Sequence, residues 1–217
     1  SVLGALGMTA GGAAGETLSQ METLFGMNAD EVAAYLAAFG SDGEGARLKT
    51  ANSIWVREDL RVRDAFLARN AANYGAAGYK TAFGDDTAAA INKWIEEHTD
   101  GLVKDVLDRV PPDAVMYLVN ALAFQASWKH EYPESDARPE VFHGASGDRQ
   151  TTLMYSDESY YLHDENTAGF LKDYENDRFC YVVLLPDKSV SLEDYVASLT
   201  GEKLTALIAN ASNESIH

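Results

Sequence analysis

Residues 118–128, LVNALAFQASW, form an almost unbroken apolar run with one carboxamide near its start and an indole at its end. A run of this length and composition reads as a strand buried on both faces, which commits the chain to a sheet covered above and below. Asn120 breaks the pattern. A buried carboxamide carries two donor hydrogens and an acceptor oxygen, and leaving them unpaired costs about 1–3 kcal/mol. The strand therefore needs polar partners from elsewhere in the chain.

The flanking sequence places helices first and strands later. Residues 1–12 are small and apolar, consistent with a buried helix despite their glycines. Residues 16–24 and 30–39 read as short helices, the second opening on the N-cap candidates Asn28 and Asp30. After the polar link GSDGEGAR, Leu48 to Val56 reads as a strand, Val62 to Tyr74 as an amphipathic helix and Tyr79 to Phe83 as a short strand. Asp86 to His98 is a helix with Ala90, Ile91, Trp94 and Ile95 on one face. Asp85 and Asp86 sit at its positive N-terminal end. Beyond residue 130, alternating segments such as VFHG, GDRQTTLMY and FCYVVLLPD predict antiparallel hairpins. Helices over 192–199 and 202–211 follow. Without βαβ alternation, the fold class is α+β.

The 217 residues carry a formal charge of −17, so a polyanion would be repelled, which argues against nucleic-acid binding. No stretch approaches the ~20 apolar residues of a spanning helix, which argues against membrane insertion. Cys180 is the single cysteine, so an intrachain disulfide and a cysteine zinc cage are ruled out. Inside FCYVVLLP it reads as a small buried hydrophobe rather than a nucleophile. The N-terminal SVLGALGMTAGGAAGETLSQM has the apolar texture of a signal peptide without a basic segment, so targeting stays open.

Chemistry-bearing motifs are scarce. The five histidines, His98, His130, His143, His163 and His217, are scattered, and none pairs with another at helical spacing for a metal. His163-Asp164-Glu165 resembles a ligand cluster, but neighbouring strand residues point to opposite faces. Asp157/Glu158 and Glu96/Glu97 are paired carboxylates of the kind expected by chance among 34 acids. Asn210 and Asn213 each open a glycosylation-type triplet in a polar tail. These patterns predict no cofactor, no metal and no catalytic group.

Five collinear stretches resemble the serpin family, the serine-protease-inhibitor superfamily. GAAGETLSQM (12–21) is similar to its helix B to helix C junction, and ANSIWV (51–56) with Phe66 to its strand 2A and the helix that follows. INKWIEEHTDGLVKDVL (91–107) matches the helix F signature through Asn92, Trp94 and Thr99. LVNALAFQASW is similar to strand 3A, and FCYVVLLPDKSVSLEDYVASLT (179–200) to strand 3B and helix G. Gln125 and Ala126 stand where the family usually has Lys and Gly, with Tyr132 and Ala137 as lesser departures.

The resemblance implies a serpin fold, three β-sheets with surrounding helices, present over 1–217 as a single incomplete domain. It places the chain from helix B to near helix H. Helix A, strand 5A, the reactive-centre loop and the C-terminal strands then lie outside it, and no P1 residue is present. It implies a non-enzyme that inhibits serine or cysteine proteases as a suicide substrate, its cleaved loop entering sheet A. A non-inhibitory binding, chaperone or carrier role is the alternative. Asn120 and Ser1 would belong to the shutter where sheet A parts, with a histidine on strand 5A as a further partner. Trp128 would sit at the breach where the loop enters, and helix F, with Trp94, would lie across the sheet and yield. Plain core packing is the simpler reading of Trp94 and Trp128. The family favours an extracellular or cell-surface setting, while the lack of disulfides also fits a cytoplasm. Alone, these residues are expected to be inactive and to self-associate through an exposed strand 3A edge.

Overall fold

A computed structural model describes residues 1–39, 45–175 and 177–213. The chain divides into two compact units, Ser1–Gly43 with Arg47–Gln125, and Glu44–Ala46 with Ala126–His217.

The first unit contains α1 (Val2–Ala10), α2 (Gly15–Phe25), α3 (Ala29–Phe39), β1 (Ala46–Arg57), α4 (Asp64–Tyr74), β2 (Ala77–Thr81), α5 (Asp85–His98) and β3 (Met116–Ala126). Its sheet has the order β2-β1-β3. β1 and β2 run parallel with Trp55 opposite Tyr79, their rings stacked at 4.2 Å. β1 and β3 are antiparallel: the Arg57 amide donates to Val115 O at one end, and Asn52 meets Asn120 five residues along each strand in opposite directions. Alternation then sorts the side chains by parity. Trp55 and Ala121 pack with Phe83 against Ile91, Trp94 and Ile95 of α5. Ile54 and Val56 pack on the other face with Met8 of α1, joined by Met116 and Leu118. Around Trp55 and Ile54 the sheet thus carries packing on both faces.

Local chemistry sets the helix boundaries. Asn28 Oδ1 accepts the amides of Asp30 and Glu31 while Glu31 Oε2 accepts the Asn28 amide, a reciprocal capping box. Asn28 is therefore the cap, and Asp30, inside the first turn, pairs with Arg69 instead. β2 lies two residues earlier than predicted because Phe83 adopts φ 59°, which no strand continues through.

The second unit holds the hairpin β4 (Ala137–Gly144) and β5 (Gly147–Met154), the antiparallel meander β6 (Tyr160–Asp164), β7 (Thr167–Asp173) and β8 (Cys180–Pro186), then α6 (Leu192–Ser198) and α7 (Gly201–Ala209). Gly169 in β7 is obligatory, since a Cβ there would overlap Val183 O. Ser191 and Thr200 cap α6 and α7 with side-chain oxygens.

Two expectations are corrected. Residues 118–128 are not buried on both faces. β3 is an edge strand with β1 on one side only among the described residues, and its two faces differ: Ala121 and Ala123 are buried on one, while Leu122 on the other is 38% exposed. Cys180 is exposed, because β8 is likewise an edge of its sheet. Partial desolvation with the Asp173 charge pushes its thiol above the ordinary range, so it is not a thiolate nucleophile.

Candidate functional site

The free edge of β3 is where structure and sequence converge. The Arg57–Val115 bond turns the odd-numbered β3 amides towards β1, so those of Leu118, Asn120 and Leu122 face the open side. A groove of about 530 Å³ follows that edge, walled by Val2 and Leu6 of α1 on one side and by Ile91, Ile95 and Val103 on the other. It is mainly apolar.

Asn120 sits at this edge beneath α1. Its Nδ2 donates to Asn52 Oδ1 at 2.7 Å, and Asn52 Nδ2 donates in turn to Tyr74 O at 2.8 Å. The relay has a direction: each amide gives a hydrogen towards α4, which leaves an acceptor at the Asn120 end. Asn120 Oδ1 is buried and takes no hydrogen bond. Helix α1 can approach this closely because Gly4 lies over the amide, and a Cβ there would come 2.8 Å from Asn120 Nδ2. Ser1 lines the same groove but gives Asn120 no hydrogen bond, so the partner that sequence reasoning assigned to Ser1 is Asn52. Neighbouring Tyr74 has a buried, unpartnered hydroxyl, and burial raises it above the usual phenol range.

The residues of the α5 signature fasten the chain after that helix. Asn92 Nδ2 donates to Leu107 O while the Leu107 amide donates to Asn92 Oδ1, at 2.8 and 2.9 Å. Thr99, fully buried, donates to Ile95 O and accepts the Val103 amide. Trp94 is core, stacked on His98 at 4.1 Å, with its Nε1 unpartnered. Lys49 and Arg47 hold Asp100 in the turn beyond α5, and the Lys49 hydrogen bond keeps that carboxyl below the usual range.

Trp128 lies in the second unit, bridged to Tyr174 and stacked on its ring at 4.4 Å. Tyr132 and Tyr181 meet the indole edge-on. Lys172, 3% exposed at its side chain, donates to Glu158 Oε1 at 2.6 Å and stands 4.1 Å from the Tyr132 ring centroid. Glu158 is thus a neutralised structural carboxylate rather than one of an acid–base pair.

The remaining candidates do not assemble. Among the described residues no three of His, Cys, Asp and Glu converge as a metal site. No helix among them is long and apolar enough to cross a membrane. His163 stacks on Tyr161, and Asp164 takes the Asn166 amide in a turn. Glu96 pairs with Lys104 and Glu97 with Lys93. Asn210 ends α7. Part of the Asn213 triplet, His217 and most of the polar link lie outside the described residues.

A family model described as Serpin (serine protease inhibitor) matches residues 1–217. A serine protease inhibitor of Cyanea capillata is 28% identical over 232 residues, 98% of this chain and 60% of its own length. An uncharacterized serpin-like protein of Thermococcus kodakarensis is 25% identical over 227 residues, 100% of this chain and 53% of its own. The structure of the thermophilic serpin tengpin in its latent state matches with a TM-score of 0.92 and 35% identity, covering 100% of this chain and 61% of that one. The chain thus spans roughly half to three fifths of these relatives.

Proposed function

Because the chain belongs to the serpin family, we propose that it is the sheet-bearing part of a suicide-substrate inhibitor of serine proteases. A target protease cleaves a loop outside these residues and is held as the acyl-enzyme, while the loop adds to the sheet as a new strand. The observation that carries this reading is the serpin family match over residues 1–217, and the β3 edge fits it, with outward amides at Leu118, Asn120 and Leu122 over an apolar groove. An added strand would satisfy those amides and cover the groove. Asn120, with Ser1 beside it, is the latch at the parting line, since its acceptor oxygen awaits a donor. Trp128 marks where the strand enters, and α5 with Asn92, Trp94 and Thr99 is the element that yields.

By itself the segment is inactive in this reading, because it offers no loop. It self-associates through the β3 edge, giving more than monomer in light scattering at on the order of tens of micromolar. The full-length parent is expected to form an SDS-stable complex with a member of a serine- and cysteine-protease panel. A parent whose loop is cleaved by panel members without any such complex would sink the inhibitory reading. The alternative is a binding or carrier protein on the same fold. The loop hinge separates the two: small alanine-rich residues favour insertion, and bulky or charged ones oppose it.

A further inference from the structure

The second unit buries an ion pair that the function above does not use. Lys172 is on β7, paired across the sheet with Tyr181 of β8, and its side chain is 3% exposed against 10% for Glu158. Glu158 Oε1 accepts both Lys172 Nζ and Ser156 Oγ, each at 2.6 Å. The ammonium stands 4.1 Å from the Tyr132 ring centroid and 5.6 Å from that of Trp128. Lys172 near the end of β7 and Tyr174, bridged to Trp128 just beyond it, are two residues apart on extended chain, so they share a face, and Tyr174 carries the indole in a near-parallel stack of 9°.

A buried ion pair of this kind is a poor stabiliser, because removing both charges from water costs about as much as their attraction returns. Two leucines would fill the space at least as stably. What leucines would not supply is a fixed cation between two aromatic faces, which draws each ring to a defined distance and orientation. Glu158 fixes the ammonium, and the ammonium in turn orients Tyr132 and Trp128. We propose that Lys172, anchored by Glu158, is a positioning residue for Trp128 and sets the geometry of the site where the added strand enters. The role at strand entry rests on the inhibitory reading; the orientation of the indole does not.

The test exploits the chain's three tryptophans. Labelled with 5-fluorotryptophan, the protein gives fluorine resonances for Trp55, Trp94 and Trp128, with Trp128→Phe as the assignment control. Removing the pair without leaving a lone charge, in K172M/E158Q, is expected to shift and broaden the Trp128 line alone, while Lys172→Arg keeps it near its wild-type position. An unmoved Trp128 line in K172M/E158Q would overturn the proposal. So would a change in all three lines together, which would mean that the pair sustains the fold. In the full-length parent, K172M/E158Q is expected to raise the ratio of cleaved inhibitor to SDS-stable complex by roughly two- to fivefold, and K172R to restore it. An unchanged ratio in a parent that does form complexes overturns the role at strand entry. A wild-type parent that forms none sinks the inhibitory reading and that role with it, while the fluorine lines still decide whether Lys172 orients the indole.

Discussion

The surroundings of Asn120 and of Trp128 are built on opposite principles. Among the described residues the strand at Asn120 has a neighbour on one side, a glycine makes room for the helix above, and the buried Asn120 Oδ1 and Tyr74 hydroxyl lack partners. Around Trp128 charge meets charge and ring meets ring, with Lys172 on Glu158 and the indole on Tyr174. An unpaired buried acceptor gains when a new donor arrives, so the first arrangement favours a change of partners. A buried pair loses heavily when either member goes, so the second resists change.

The contrast breaks most easily at the ion pair. Glu158→Gln leaves Lys172 buried without a counter-charge and should cost about 3–5 kcal/mol in denaturant unfolding. If it cost no more than Asn120→Ala, the two regions would not differ in kind. Gly4→Ala drives a methyl into the Asn120 amide and should cost about 1–3 kcal/mol, against the usual gain for this change in a helix. A stabilised Gly4→Ala protein would show that α1 does not rest on the amide as described. The relay can be sharpened by a double-mutant cycle: Asn52→Ala and Asn120→Ala should couple by about 1 kcal/mol, whereas additive effects would mean that the 2.7 Å bond contributes nothing.

The smallest effect belongs to the exposed tie between Asp100 and the start of β1. Lys49 depresses the folded carboxyl pKa, so its contribution is complete above the unfolded value of 3.8 and is lost as pH falls through the lower folded value. Asp100→Asn tolerates the positive φ of 54° at that position. It should lower Tm by about 2 °C or less near pH 7, and the difference should narrow as the pH falls below 3.8 through the lower folded value. A gap that did not change with pH would assign the effect to something other than the charge.

Much of the fold was legible because periodicity reports burial. The α5 face of Ile91, Trp94 and Ile95 meets the sheet as its spacing predicts, and the alternating segments after residue 130 become hairpins. The edge status of β3 and β8 was not legible, because an apolar run looks the same whether its neighbouring strand lies inside the chain or beyond it. That ambiguity misplaced Cys180. Asn120 stood out as one polar group in an apolar strand, but its partner Asn52 lies 68 residues away and is fixed by strand register, which no local pattern encodes. Lys172 and Glu158 were hidden for a related reason. A lysine in FLKDY reads as solvated until a carboxylate from another segment closes over it.

Hydrogen exchange reads the β3 edge residue by residue. In the full-length parent, the amides of Leu118, Asn120 and Leu122 should be more strongly protected after loop cleavage than before it, while those facing β1 change little. Equal exchange at these three amides before and after cleavage would contradict strand addition at this edge.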